Sequence, residues 1–468
     1  MLDSREKEEM KTLSEALEKA GYTQISYQIV HTTSRITSVR GPESVKKQDS
    51  KDAVYIVEAA LNGQKGRTYW STLPDSRLLL SMMQENIDAL GKTDMGKSCE
   101  KNVDNSGCVK EICGHHLEES FVWEDHETVL DILQAAKKKA YEFPQTDLVE
   151  YLGYEQHLEE IYVLGPGKNI LMDATGYHSL RADMKAEKNE AEKNKDVSYA
   201  RGCCYGKSLH DMSAEKLALT VAEEAGAGIG AKPIKSGKYP VILKNSVMAE
   251  ILEAYIPAFY ADRIKNDRSA IAGMEGKRVA AENVTLKEVP DLKKGRICRR
   301  IDDEGVPVKE KYLIKDGIFE TKLVNRTMAE ELKLEPTGNG FKESPKSDVG
   351  IGITNVILKP EHDRAKGEKW SILDLKKKMG HGILVTDVDG VFAGTNVMNG
   401  TFSLIVKGRK IEDGQDQEAF CQVTIAGNFF EMLQHIQEMA DDYTSTYPDC
   451  ASVMAPSVYV GELAVSGI

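Results

Sequence analysis

The amino-acid sequence predicts an α+β protein of two domains. Helix-like segments flank groups of strand-like segments instead of alternating with them one by one, and the second half is dominated by strands and hairpin turns. The 468 residues also exceed the usual length of one domain. We expect residues 1–232 to form a domain of helices and antiparallel strands, and residues 239–468 to form a strand-rich domain with mixed sheets. A linker is expected at about 233–238, where proline, serine and glycine occur together.

The composition is that of an ordinary globular protein, with 41% hydrophobic and 29% charged residues. The 61 lysines and arginines are outnumbered by 74 aspartates and glutamates. The resulting net charge of −13 disfavours a general nucleic-acid binder, which needs clustered cations. Neither an export signal nor an apolar run of membrane-spanning length is predicted. We therefore expect a cytoplasmic protein whose eight cysteines are reduced thiols.

The first predicted elements are a helix, strands and a second helix. Apolar residues recur at helical spacing over 4–20, whereas 24–39 is rich in Ile, Val, Tyr and Thr, which favour strands. The dipeptide Asn62-Gly63 interrupts the next strand-like run and predicts a hairpin. Residues 76–91 predict another helix.

The middle of the chain contains one irregular stretch and one ambiguous stretch. Residues 91–120 are polar and without periodicity, which predicts a loop, and 127–143 predicts a strong helix. Residues 157–176 predict two strands that turn at 165–167. The Lys- and Glu-rich stretch 183–196 fits a solvated helix and a long exposed hairpin comparably well.

The second half begins after a helix that Ser213 is suited to cap. A strand is predicted over 239–246, and a long helix is predicted to begin near Asn245. The remaining predicted elements are hairpin turns at 315–317 and 412–414, helices near 371–379 and 428–441, and a final strand pair over 454–467.

Two short motifs suggest chemistry but are better explained by helix ends. The spaced glycines Gly226, Gly228 and Gly230 follow a helix, whereas a dinucleotide-binding loop precedes one, so capping is favoured. His126 and Glu127 open a helix without the second histidine that a zinc protease needs one turn later. An acid at a helix N-terminus explains this pair more simply.

Three clusters remain open as cation sites. His115 and His116, with two glutamates close by, could bind a transition metal adventitiously. The segment 387–390 matches part of a calcium loop, but a turn between strands is favoured. The segment 302–305 places three acids before a glycine, which suits a cation or, more simply, a turn.

The C-terminal half resembles the TldD/PmbA family, also called modulators of DNA gyrase, and the N-terminal half resembles it more loosely. The segments that carry this resemblance, such as GILVTDVDGVFAGTNVMNGTFSLIVKGRKIEDG, follow one another in the family's order. They are 301–332, 336–342, 382–414, 423–436 and 455–467.

The resemblance implies a cytosolic protease system with two branches. TldD-like members carry zinc on an HExxxH motif in the helix after the inter-domain strand, whereas PmbA/TldE-like members lack those ligands and pair with the first kind. The corresponding helix here, 245–264, contains Glu250 and Glu253 but no histidine. Its apolar residues recur at three- and four-residue steps and predict a buried face, and Pro257 predicts a kink or an end.

Our first hypothesis is therefore a metal-free PmbA/TldE-like subunit of a heteromeric zinc metallopeptidase that cleaves unfolded peptides. The TldD-like partner would supply zinc, so no catalytic, cofactor-binding or metal-binding residue is assigned to this chain. The peptide would add as a strand to a free sheet edge, for example within 382–407. Direct contact with nucleic acid or membrane is not expected.

Two alternatives remain open. One is a homodimer that binds peptides or a protein partner without catalysis. The other is an enzyme in its own right, with a metal held by an unrecognised set such as His115, His116 and nearby acids.

Overall fold

A computed structural model confirms the predicted α+β class. The structure describes residue 2 and residues 4–90, 121–164, 170–188, 196–292, 295–360, 369–446 and 452–468. Among these residues, no helix combines the length and the apolar character that crossing a membrane requires.

The N-terminal half is built on one antiparallel sheet of six strands in the order β3-β2-β1-β4-β5-β6. Asn62 and Gly63, both with positive φ, form the predicted two-residue turn, because Leu61 pairs with Gln64 across it. The strands are β1 (Thr23–Arg40), β2 (Ser44–Leu61), β3 (Gln64–Trp70), β4 (Thr146–Leu164), β5 (Ile170–Lys188) and β6 (Asp196–Gly206).

The ambiguous Lys- and Glu-rich stretch belongs to a hairpin. The whole of β6 pairs with β5, from His178 opposite Gly206 to Lys188 opposite Asp196. The described residues of the stretch 183–196 are therefore extended and not helical, and residues 189–195 lie outside the described residues. The turn predicted at 165–167, the loop at 91–120 and the cluster around His115 and His116 lie outside the described residues.

In the described part of this half, four helices cover one face of the sheet, and the sequence predicts a helix at each of these places. The first two pack on β1 to β3, and the other two pack on β4 to β6. Asp125 caps the third helix by accepting from two backbone N–H groups. The helices are α1 (Ser4–Lys19), α2 (Ser76–Leu90), α3 (His126–Tyr141) and α4 (Ala214–Ala227), and a 3₁₀ turn (Leu209–Asp211) precedes α4.

The C-terminal half contains a closed barrel beside a second mixed sheet. The barrel order is β16-β15-β14-β7-β20, and pairing of β16 with β20 closes it. The barrel strands are β7 (Gly237–Leu243), β14 (Gly382–Asp389), β15 (Thr401–Glu412), β16 (Gln415–Asn428) and β20 (Val458–Ser466), with β17 (Glu438–Met439) added to β20.

The second sheet has the order β10-β9-β8-β13-β19-β18, and a separate two-stranded ribbon pairs β11 with β12. Turns at Asp316-Gly317 and Asp413-Gly414 are confirmed by the pairing of the residues that flank them. These strands are β8 (Val284–Glu288), β9 (Lys311–Lys315), β10 (Ile318–Phe319), β11 (Gly340–Lys342), β12 (Val349–Ile351), β13 (Asn355–Pro360), β18 (Thr444–Ser445) and β19 (Ser452–Ala455).

Helices connect the strands of this half. The helix that follows β7 is α5 (Asn245–Tyr255), and it is buried in the largest hydrophobic core of the chain. The remaining helices are α6 (Ala261–Lys265), α7 (Arg326–Leu332), α8 (Ile372–Met379), α9 (Val391–Gly394) and α10 (Phe429–Gln434), and a 3₁₀ turn (Ile256–Phe259) joins α5 to α6.

Two predictions for the C-terminal end are wrong. The helix predicted near 428–441 ends at Gln434, because Gln437 N then donates to Tyr459 O and the chain joins β20 as β17. The strands over 454–467 do not pair with each other. β19 pairs with β13 and β18, whereas β20 belongs to the barrel.

The helix-free face of the first sheet is turned towards the C-terminal half. Among the described residues, no strand of the first sheet pairs with a strand of the C-terminal sheets, so side chains join the two halves. The most buried of these is Asp173 of β5, which is 1% exposed and accepts from Arg300 N at 2.7 Å and Ile301 N at 3.0 Å. The buried Arg299 guanidinium lies 3.4 Å from the same carboxylate.

We expect Asp173→Ala to lower the free energy of unfolding by about 3–5 kcal/mol, because it leaves two backbone N–H groups without their acceptor and removes one of the two carboxylates beside the buried Arg299 guanidinium, which keeps Asp303. Chemical denaturation combined with limited proteolysis measures the loss. Asp348→Ala is the matched control, since Asp348 also joins the halves, through Arg67 at 2.8 Å, but is fully exposed. The control should change stability by less than about 1 kcal/mol. Equal losses in both variants would contradict the importance of the buried contact.

Candidate functional site

Helix α5 corresponds to the helix on which TldD-like members are expected to carry the zinc motif. It is buried on most of its circumference, and Pro257 lies in the 3₁₀ turn that follows its end at Tyr255, as predicted. The side chains of the predicted buried face are each less than 1% exposed, namely Met248, Ile251, Leu252, Tyr255 and Phe259.

The residues of α5 do not fit a zinc ion. An HExxxH motif with its glutamate at Glu250 would place histidines at Ala249 and Ala254, which are 0% and 5% exposed. Two methyl groups in a packed core offer no lone pair to a metal. Within the described ranges, no group of three or more His, Cys, Asp or Glu side chains is arranged to hold a metal ion.

A cavity of about 210 Å³ lies between the two halves, beside the first turns of α5. Its N-terminal wall is formed by β6 and α4, and its C-terminal wall by α5, β14, β15 and β18. Its charged lining residues are Arg201, Glu224, Lys244, Glu250, Asp387 and Lys407.

Glu250 is the most perturbed of the cavity carboxylates. Its side chain is 20% exposed, and Arg201 Nη2 from β6 lies 3.6 Å from Oε2 across the boundary between the halves. Burial raises the pKa of Glu250 to about 7, and the nearby carboxylates of Asp387 and Asp389 add to the rise, while Arg201 opposes it.

Two lysines also cross the boundary at this cavity. Lys244 at the start of α5 donates to Glu224 of α4. Lys407 of β15 donates to Tyr199 O of β6 at 2.6 Å and lies 2.9 Å from Asp387. The cavity therefore contains three cation–carboxylate pairs in a small volume, and both halves of the chain supply them.

Cys203 of β6 also lines the cavity but is not a reactive thiol. Burial raises its pKa to about 12, and Cys204 and Glu250 add to the rise. Because the thiolate is the nucleophilic form of cysteine, this side chain is inert at neutral pH.

The acidic segment 302–305 is a turn. The Asp302 carboxylate accepts from Val306 N and Gly340 N, each at 2.8 Å, and Glu304 accepts from Arg326 N at 2.8 Å. Gly305 adopts a positive φ, as the turn requires. Backbone N–H groups therefore occupy the oxygens that a cation would need, which supports the turn interpretation.

The other short motifs also serve local structure. His126 begins α3, with Nδ1 2.7 Å from Thr37 Oγ1. Gly228 follows the last residue of α4 as its C-cap, which confirms the capping interpretation. The prediction of a turn at 387–390 is only partly right, because Asp387 to Asp389 belong to β14 and only Gly390 begins the connection to α9.

Strand addition at 382–407 is not available in this structure. Both strands of that segment lie inside the barrel, where β14 has β15 and β7 as neighbours and β15 has β14 and β16. The prediction was wrong because β14 pairs with β7, which is more than a hundred residues away in the sequence. The sequence around 382–407 therefore does not show that this edge is covered. Two edge strands line the cavity, namely β6, through the five consecutive residues Tyr199 to Cys203, and the two-residue strand β18.

Comparison with known proteins identifies the class of fold. Residues 236–467 match the PmbA/TldA metallopeptidase C-terminal domain. The metalloprotease PmbA homologue of Buchnera aphidicola subsp. Acyrthosiphon pisum is 25% identical over 365 residues, covering 77% of this chain and 75% of the relative. The structure of TldE from Thermococcus kodakarensis shares the fold, with a TM-score of 0.82 over 98% of this chain and 99% of that chain, at 19% identity.

The fold is thus that of a two-part protein with a metallopeptidase-family C-terminal domain, and the chain belongs to the PmbA/TldD family. This confirms the resemblance seen in the sequence. A metalloprotease TldD homologue of the same Buchnera is also related, at 26% identity over 219 residues, which cover 46% of this chain and 43% of that relative.

The sequence pointed to only part of the cavity. Glu250 and Asp387 stood out as members of motifs, whereas Arg201, Lys244 and Lys407 did not, because each is one of many surface-type cations in the sequence. The alternation of β6 places Tyr199, Arg201 and Cys203 on one face, but only the fold shows that this face meets α5.

We expect Glu250→Gln to change how stability depends on pH. Folding raises the pKa of this carboxyl group from 4.5 to about 7, so the folded state holds the proton more tightly than the unfolded state. The contribution of Glu250 to the free energy of unfolding therefore falls as pH rises between these values, by about 3 kcal/mol in total.

Denaturation of wild type and Glu250→Gln across this pH range measures the difference directly. Wild type should lose stability relative to the variant as pH rises, and above about pH 7 the variant should be the more stable of the two. Glu223→Gln, on the exposed side of α4, is the control and should follow wild type. A pH-independent difference between wild type and Glu250→Gln would contradict the raised pKa.

Proposed function

We propose that this chain is a metal-free, PmbA/TldE-like subunit of a heteromeric zinc metallopeptidase that cleaves unfolded peptides. The observation that carries the proposal is the pair of buried alanines, Ala249 and Ala254, at the positions where an HExxxH motif around Glu250 would hold imidazoles. In this proposal a TldD-like partner supplies zinc, and this chain gains its role by association.

The physical argument is one of coordination. A catalytic zinc site needs three protein ligands and an open position for water. Using Glu253 as the motif glutamate would not help, because the histidine positions would then hold Leu252 and Pro257. The relationship to both PmbA-named and TldD-named proteins of one organism supports a system with two kinds of chain.

We further propose that this chain shapes the path of the peptide with the free edge of β6. An edge strand offers unpaired main-chain groups, which bind an extended peptide with little regard to its sequence. The cavity runs along Tyr199 to Cys203 of this edge, and hydroxyl groups of Thr386, Thr444 and Ser445 line its other side. This replaces the edge within 382–407 that the sequence suggested.

The test is cleavage of an unfolded peptide by this chain alone, by a TldD-like partner alone, and by the mixture. We expect cleavage to be strongest in the mixture and absent in this chain alone, because only the partner supplies the histidine ligands of the HExxxH motif. Metal analysis of each purified chain accompanies the assay, with less than about one-tenth of an equivalent of zinc expected here.

The remaining outcomes decide between the alternatives. Cleavage by this chain alone, abolished by replacing His115 and His116, would favour an independent metallopeptidase. Self-association with peptide binding, and no gain of cleavage in the mixture, would favour a non-catalytic homodimer. A variant of the partner that lacks its motif glutamate is the matched control, and its mixture with this chain should be inactive.

A further inference from the structure

The carboxylate of Glu250 differs from the other carboxylates of the inter-domain cavity in how it is paired. Glu224 accepts a hydrogen bond from the Lys244 ammonium group, and Asp387 forms an ion pair with Lys407 at 2.9 Å. The cationic neighbour of Glu250 is Arg201, whose Nη2 stays 3.6 Å from Oε2, which is longer than a hydrogen bond. Glu250 thus lines the cavity, and its ion pair with Arg201 is longer than a hydrogen bond.

A loosely paired carboxylate of low exposure is unfavourable, because protein interior replaces water without replacing its hydrogen bonds. The acidic neighbours Asp387 and Asp389 add repulsion, in agreement with the raised pKa of Glu250. Both effects would be relieved by a compact cation that donates hydrogen bonds from inside the cavity.

We propose that the inter-domain cavity binds a primary ammonium group, with Glu250 as its acceptor. An ammonium group carries three donors on one compact charge, and the cavity that Glu250 lines is also lined by the hydroxyl-bearing residues Thr386 and Ser445. A volume of about 210 Å³ admits the amino-terminal residue of a peptide or the end of a lysine side chain.

The remaining charged groups of the cavity favour a cation over an anion. Lys244 and Lys407 are already paired with carboxylates, so an anionic ligand would have to compete with Glu224 and Asp387 for them. The Cys203 thiol remains neutral. An ammonium group would not have to displace a lysine from its carboxylate, because Glu250 can accept its hydrogen bond while Arg201 keeps its position across the boundary.

This inference rests on the proposed function only in taking the ligand to be a peptide. The test measures binding of hexapeptides to the full chain by isothermal titration. One probe has a free amino terminus, a second is acetylated and free of lysine, and a third is acetylated and contains one lysine. We expect the free amine or the lysine to bind at least about tenfold more tightly than the acetylated, lysine-free probe, and the two arms show which source of the ammonium group is used.

Glu250→Gln keeps the size of the side chain but removes its charge, and it should abolish the preference for an ammonium group. Glu223→Gln, which lies outside the cavity on the exposed side of α4, should keep that preference. In wild type, affinity for the lysine probe should fall between about pH 7.5 and 5.5 as Glu250 takes up its proton, and this fall should vanish in Glu250→Gln. Circular dichroism melting checks that each variant is folded.

Equal binding of all three probes, no binding of any probe, or an unchanged preference in Glu250→Gln would overturn the ammonium site. These results leave the subunit role untouched, since that role is tested by cleavage in the mixture. An ammonium preference without cleavage in the mixture would uphold this inference and contradict the proposed function.

Discussion

The relative placement of the two halves depends on the buried carboxylate of Asp173. It is 1% exposed, and it accepts from the backbone N–H groups of Arg300 and Ile301, so it holds a segment of the C-terminal half against β5. Such a contact is directional, because a carboxylate that accepts two adjacent N–H groups tolerates little sliding. The face of the sheet that carries Asp173 is therefore fixed in register as well as in distance.

This constraint forms the cavity. Arg201 lies on the same face, on the neighbouring strand β6 opposite Asp183, and it meets Glu250 only because the sheet is held at this angle to α5. The lysine contacts of Lys244 and Lys407 then close the boundary from the opposite side. Neither half alone contains the cavity, so its chemistry belongs to the packing of the halves.

The sequence predicted what is encoded locally. Asn62-Gly63 and Asp316-Gly317 carry their own turn geometry in positive φ values, so their hairpins follow from two residues each. The strands over 454–467 have no such local signal, and their partners, β13 and β7, lie far away in the chain. The meeting of Arg201 with Glu250 is likewise set by sheet order and domain placement, which periodicity does not reveal.

The same reasoning explains how the hydrophobic helix α5 can carry a glutamate in its middle. Ala249 and Ala254 let the helix pack closely, whereas Glu250 between them lies at the cavity wall. A zinc ion would favour the ionised form of such a carboxylate by its charge. Here only Arg201 does so, at 3.6 Å, which is too weak to offset burial and two neighbouring acids, so the pKa stays near 7. The helix thus carries an acid whose protonation depends on the charges that lie around the cavity.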